Sequence, residues 1–267
     1  MRKTVFIVLS TLVVALGASA AELHDFYVIP VAAHVSGANG TSWRTDVAIQ
    51  NIQFTPITIE MSVVESGEGL LDNIFPIGST VTVPAGGSVI LGDVLKDHRG
   101  QAESSGALLV GGDKPFALTS RTYNVTANGT LGQAVPASSD VAAEGSTLFI
   151  PGLISNAAFR TNIGLLMSAT TPMTVIVAVN GADGQLLGKR VFSVAAGVTT
   201  HVQFGAPTLA PAPFDTAGGI VRIIEGSGTV VAYASVVDNA TGDASYIAGG
   251  AGSAGPIAPL SLLLNRR

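Results

Sequence analysis

The sequence contains no cysteine. A disulfide framework, thiolate chemistry and a cysteine-linked lipid anchor are thereby excluded. Charge is also scarce, at 12% of 267 residues, with 13 Lys and Arg against 18 Asp and Glu and a formal net charge of −5. No nucleic acid is expected as a partner, because binding phosphate backbones needs clustered Lys and Arg. Aromatics reach only 6%, with a single Trp, which argues against a platform of exposed rings for stacking on sugars. The few rings that could serve are Tyr27, Tyr123, Tyr233 and Tyr246. The four histidines, His24, His34, His98 and His201, lie in separate segments without H-E-x-x-H or another short metal spacing. G-x-S-x-G is missing too, which removes the nucleophile elbow. No cofactor and no metal is expected.

Long apolar runs are confined to the N-terminus. Arg2 and Lys3 precede an apolar stretch at 5–16 and the small residues Ala18-Ser19-Ala20, the pattern of a signal peptide over 1–20 cleaved after Ala20. Its loss makes the charge two units more negative. Later runs such as 173–179 and 257–264 fall far below the roughly 18 residues that cross a bilayer, so no transmembrane segment is expected after cleavage. The protein is predicted to be secreted or held at the cell surface, with the periplasm as a further extracytoplasmic address. Export without disulfides fits a bacterial product better than an animal one.

What the sequence does have is a stretch that occurs twice. Trp43-Arg44-Thr45-Asp46-Val47-Ala48-Ile49, followed by Thr55-Pro56-Ile57-Thr58-Ile59, matches Phe159-Arg160-Thr161-Asn162-Ile163-Gly164-Leu165, followed by Thr171-Pro172-Met173-Thr174-Val175. One offset aligns both blocks without a gap, which predicts two copies of one unit. Each copy opens with an Ile-Pro strand, at 26–33 and 148–151, where the proline marks an edge or a bulge. Alternation along the signature strand puts Trp43, Thr45, Val47 and Ile49 on one face and Arg44, Asp46, Ala48 and Gln50 on the other. In the second copy Phe159, Thr161, Ile163 and Leu165 face inward, and Arg160 and Asn162 outward. The aromatic is read as a core anchor.

Strands are predicted at 57–64 and 173–179, at 80–84 and 190–195, and as closing pairs at 106–110 with 116–124 and 219–223 with 230–239. Turns fall at 37–40, 124–129, 180–184 and 238–242, rich in Gly and Asn. Irregular segments are expected at 94–104, with room for one helical turn, and at 205–217, where Pro207, Pro211 and Pro213 exclude a helix. No crossover helix is available for a parallel sheet. The fold class is therefore all-β: two tandem immunoglobulin-like antiparallel β-sandwiches from an internal duplication, over 21–136 and 147–250. A small-residue linker at 137–146 joins them, and a flexible Gly/Ala/Pro-rich tail at 251–267 follows.

Other candidate sites are weak. Gly250 to Gly255 formally fits G-x-G-x-x-G, but Pro256 follows where a helix should open. Gly184 to Gly188 with Lys189 is one residue short of a phosphate loop, and Arg190 stands where Ser or Thr would hold magnesium. Glu60 with Glu65, or Glu65 with Glu68, could serve a glycosidase only across a sugar cleft, and solvated surface charge is the better reading. Asp238 and Asp243 flank a hairpin and read as an Asx turn rather than a calcium site. His98, in Lys96-Asp97-His98-Arg99, reads as part of a solvated loop. Arg44 with Asp46 and Arg160 with Asn162 are the outward feature present in both copies. They are either neighbours that shield the sheet or a repeated contact surface between the domains or for a ligand.

With Ser120-Arg121-Thr122-Tyr123-Asn124 closing the first copy, these motifs resemble those of uncharacterised secreted bacterial proteins with tandem immunoglobulin-like sandwich repeats. The resemblance implies a sandwich fold and an extracytoplasmic setting, and no active site. The second copy departs from it at 234–239, where no equivalent of Arg121 occurs. The expectation is a non-enzymatic structural or adhesive protein of the cell surface, with self-association, another surface protein or a glycan as partner. An accessory glycan-binding module is the alternative. A secreted hydrolase, the second alternative, would need a cleft joining His34 or His201 to a carboxylate. The apolar stretch 257–264 is a candidate for pairing with the open edge of a neighbour.

Overall fold

The computed structural model describes residues 23–67, 73–137, 142–143 and 146–252. The expected signal peptide, Glu68, most of the linker and the tail beyond Gly252 lie outside them. The described chain is all-β. Its first half holds β1 (His24–Ser36), β2 (Ser42–Gln50), β3 (Ile57–Glu65), β4 (Ile74–Pro76), β5 (Val81–Val83), β6 (Ser88–Leu91), β7 (Ser104–Thr126) and β8 (Gly129–Val135). The short β9 (Ala142–Ala143) follows. The second half holds β10 (Thr147–Ser155), β11 (Phe159–Ala169), β12 (Met173–Gly181), β13 (Leu186–Val194), β14 (Thr199–Gly205), β15 (Phe214–Glu225), β16 (Gly228–Asp238), β17 (Ala244–Ala248) and β18 (Gly250–Gly252).

The strand ladders are antiparallel throughout. In the second half β13-β12-β15-β10-β18 and β14-β11-β16-β17 form two sheets. Their facing side chains, among them Ile150, Leu153, Ile163, Leu165, Val175, Val177, Val221 and Ala232, make one buried core, which is the anatomy of a sandwich. In the first half one long strand serves both layers. The first part of β7 pairs with β1 and β3, and the part from Ala117 onward pairs with β2 and β8. The closing strands expected at 106–110 and 116–124 are thus a single strand, whereas their second-half counterparts are separate, as β15 and β16.

The order of pairing in the second half repeats that of the first. β2 lies between β6 and β7, and β11 between β14 and β16. Both Ile-Pro sites interrupt the register of the opening strand, between Ile29 and Ala32 and between Ile150 and Leu153. A proline lacks the N–H a ladder needs, so the strand bulges there. The signature threonine bridges the gap left behind. Thr45 Oγ1 accepts the Ala33 N–H at 2.8 Å, and Thr161 Oγ1 bonds the backbone of Ile154.

Three expectations about local structure are revised. Ala206–Thr208 forms a 3-10 turn despite Pro207, since proline is tolerated in a first turn whose N–H has no partner. The strand β15 begins at Phe214, inside the segment expected to be irregular. Ala251 and Gly252, read as the start of a flexible tail, belong with Gly250 to a strand that pairs with Thr147 to Phe149 of β10.

The two halves are packed against each other. Outward residues Val28, Val64 and Ala107 of the first half meet Leu166 of the second in a small apolar cluster. Tyr233 of β16 is buried with the core residues of the first half. This explains the unbroken buried run Tyr27 to Ala33 in β1, since a strand covered on both faces needs no polar alternation. No helix of the described residues is long and apolar enough to cross a membrane.

Candidate functional site

Alternation sends Arg160, Asn162, Gly164 and Leu166 of β11 to the face away from their own core. Register places Gly205 and Ser235 beside Asn162, Gln203 and Tyr233 beside Gly164, and His201 and Val231 beside Leu166. Those three rows make up the surface that the second half turns toward the first. The lower rows are closed. Around Arg160 and Asn162 the halves part, leaving a cleft of about 290 Å³.

From the first half Trp43 and Gln133 reach this cleft; from the second come Arg160, Asn162, Gln203 and Ser235. Phe204 and Val237 supply apolar wall. Trp43 was expected in the core. It is half-buried instead, because it stands at the first turn-ward end of β2, where its neighbour is Val35 near the end of β1 and the inner layer no longer covers it. Its ring is held by a hydrogen bond from Nε1 to Thr41 Oγ1 at 3.0 Å. Gly37 lies under the ring, and a β-carbon there would come within 2.5 Å of Nε1.

Arg160 donates from one terminal nitrogen to Asn239 Oδ1 at 3.0 Å. Among the described residues no carboxylate pairs with it, and partial burial pulls its guanidinium below the ordinary arginine range. The arginine at the matching place in the first half differs. Arg44 Nε lies 3.3 Å from Asp93 Oδ2, and a terminal nitrogen donates to Trp43 O. Asp46 is engaged as well, accepting the Asp93 N–H at 2.8 Å and the Tyr123 hydroxyl at 3.1 Å. Arg44 and Asp46 brace a loop, whereas Arg160 and Asn162 line the cleft.

Below the cleft a buried polar chain joins the halves. Ser66 Oγ lies 2.7 Å from His201 Nδ1, and His201 Nε2 lies 3.1 Å from the Tyr233 hydroxyl. The Gly67 N–H donates to His201 O at 3.0 Å. His201 and Tyr233 are both fully buried. Burial lowers His201 to about 4 against the opposing pull of the Pro30 carbonyl, so the ring is neutral at pH 7. The same burial raises the Tyr233 hydroxyl well above its usual value. Ser235 Oγ donates to Gln133 Oε1 at 3.1 Å, a second tie across the seam.

The remaining candidates are scattered. His34 Nδ1 contacts both Asp93 oxygens at 2.8 and 2.9 Å, the histidine–carboxylate pairing a hydrolase would require, but neither residue lines the cleft. His24 packs edge-on against Tyr27. His98 is 6% exposed rather than solvated, because Leu95 buries the loop on the first core. Its Nε2 stands 3.6 Å from Glu65 Oε1, and neither atom has a hydrogen-bond partner among the described residues. Arg99 reaches the other Glu65 oxygen at 3.4 Å while lying over Phe75. Glu60 and Glu65 are an odd number of residues apart on β3, so they face opposite ways and cannot flank one sugar. Asp238 Oδ1 accepts the N–H groups of Ala240 and Thr241, an Asx turn that holds its carboxyl below the ordinary range. Arg121 lies over Tyr123 on the surface. No group of three or more metal-ligating side chains occurs among the described residues.

Of the cleft, alternation in the sequence located Arg160 and Asn162 on an outward face. Gln133, Gln203 and Ser235 carried no signal, since single polar residues on strands are common everywhere. Tyr233 was read as a ring that could be exposed, and the docking of the halves buries it.

No family model and no curated protein matches the sequence. Among solved structures, the chain is similar to Bacteroides uniformis beta-glucuronidase 2 covalently bound to cyclophellitol-6-carboxylate aziridine, at 11% identity and a TM-score of 0.20, covering 79% of this chain and 26% of that one. It is similar also to Bacteroides uniformis beta-glucuronidase, at 10% identity and a TM-score of 0.17, covering 85% of this chain and 25% of that one. The chain spans about a quarter of each, and likeness at these TM-scores carries no argument about fold or activity.

Proposed function

We propose that this is a non-enzymatic, extracytoplasmic recognition protein that holds a saccharide-sized polar ligand in the cleft between its two lobes, in the service of adhesion at a cell surface. The observation that carries the proposal is the composition of the cleft. Trp43 and the Gln133 amide from the first lobe and the Arg160 guanidinium with the Asn162 and Gln203 amides from the second line about 290 Å³. An aromatic face with convergent hydrogen-bonding groups is what recognition of a polar ring requires, and the volume lies at the small end of ligand sites. Turnover is not favoured at this place: no Asp, Glu, His or Lys lines the cleft, and sugar hydrolysis needs two carboxyls across the scissile bond. The buried ties at Ser66–His201–Tyr233 and Gln133–Ser235 support a preformed site, because they fix the lobes on either side of it.

The test uses Gly205→Leu. A β-carbon on Gly205 meets nothing closer than Pro207 Cδ at 3.7 Å and Asn162 Oδ1 at 4.0 Å, so the fold accepts it while the larger side chain fills the cleft. A glycan array is expected to give hits with the native protein that disappear with the variant, whose circular dichroism stays unchanged. An array without hits, or hits that survive the variant, would overturn the reading.

A further inference from the structure

We propose that the ligand of the cleft carries a carboxylate, as an acidic saccharide does, and that Arg160 receives it. This rests on the reading of the cleft as a ligand site. A guanidinium offers five N–H donors in a planar fork, and a single bond to Asn239 Oδ1 leaves most of the fork unspent. Side chains around it supply amides, hydroxyls and hydrocarbon, and no negative charge. A half-buried cation left in that state is costly, and a bound anion removes the cost by accepting two parallel hydrogen bonds.

The first lobe shows the contrast. There Arg44 meets Asp93, and Asp46 stands two residues along the strand. In the second lobe the residue two along is Asn162, and Arg160 hydrogen-bonds the amide of Asn239. The position that matches Arg44 holds a cation with no carboxylate to neutralise it, and it is this cation that lines the cleft. Asn162 in place of an aspartate also removes the charge that would repel an incoming anion.

The charge of the ligand follows from the same inventory. One guanidinium in a protein of net negative charge balances a monoanion and under-compensates a phosphate, which carries close to two negative charges at neutral pH. The planar fork of the guanidinium can meet both oxygens of a carboxylate, and the charge balance ranks that group above a phosphate. Trp43, its ring fixed by Thr41, then takes the apolar face of the same sugar.

The experiment is an array in which each uronic- or sialic-acid-containing glycan is paired with its neutral counterpart, alongside sulfated and phosphorylated members, probed with the native protein, Arg160→Gln and Gly205→Leu. Solution titrations follow the emission of Trp43, the single tryptophan of the chain. Acidic members are expected to bind at least tenfold more tightly than their partners, and Arg160→Gln to erase that preference by at least tenfold while the fold persists. If neutral and acidic members bind equally, and both are lost in Gly205→Leu but not in Arg160→Gln, the carboxylate inference fails and the cleft reading stands. Binding confined to sulfated or phosphorylated members also overturns the carboxylate. If nothing binds, or if Gly205→Leu binds as well as the native protein, the cleft reading itself fails.

Discussion

Acid should weaken the protein, and one buried side chain, His201, carries a separable part of the effect. The ring is fully buried, faced by the Ser66 hydroxyl, the Tyr233 hydroxyl and the Pro30 carbonyl, and burial lowers it to about 4. In the unfolded chain it titrates near 6.5. Above that value both states are neutral and the histidine adds no pH dependence. Between roughly 6.5 and 4 the unfolded chain takes the proton and the folded one does not, so stability is lost as pH falls through that window. The gap of about 2.5 pH units corresponds to about 3 kcal/mol, most of which is already lost at pH 4.5. Against a total stability of about 5–15 kcal/mol this is a large fraction. Urea unfolding at pH 7.5 and 4.5, followed by circular dichroism, measures it when the native protein is compared with His201→Gln. Glutamine offers a donor and an acceptor but no proton site near neutrality. The loss on acidification should be about 2 kcal/mol smaller in the variant. Other groups that titrate there, including His98, whose burial also lowers it, are present in both proteins and cancel. Equal losses in the two proteins would refute the reasoning, as would an imidazole signal of His201 titrating near 6.5.

Two further substitutions test close contacts. A β-carbon at Gly164 would fall 2.0 Å from Cζ of Tyr233, whose ring has no room to retreat, so Gly164→Ala should cost about 1–3 kcal/mol in urea unfolding. A change below about 0.5 kcal/mol would mean that the seam yields more readily than this packing implies. At Gly37 an added β-carbon would come within 2.3 Å of Thr41 Oγ1 and 2.5 Å of Trp43 Nε1. Gly37→Ala should therefore break the Trp43–Thr41 hydrogen bond and shift the emission maximum of Trp43, and an unchanged spectrum would refute the proposed seat of the ring.

Much of the local structure was legible in the residues. Period-2 alternation assigned Thr45, Val47 and Ile49 to the core and Arg160 and Asn162 to the outer face, because side chains on a strand point alternately and only one face meets the core of its own sandwich. The bulges at Pro30 and Pro151 and the Asx turn at Asp238 follow from single residues whose backbone chemistry allows little else. Trp43 was misplaced for a reason alternation does not contain. It has the parity of a core residue but stands at the end of its strand, beyond the layer that would bury it. His98 was misplaced for the opposite reason: its charged neighbours marked a loop, while Leu95 tied that loop to the core.

The sequence by itself determined which residues share a face and that the fold is all-β, since these depend on neighbours along the chain. Only the tertiary structure decided what lies opposite each outer face. Residues outward from the second sandwich meet the first lobe: His201 and Tyr233 are buried against it, and Asn162 and Arg160 line the cleft beside it. A buried histidine, a seam and a cleft all arise from that docking, and docking is a long-range event that leaves no periodicity to read.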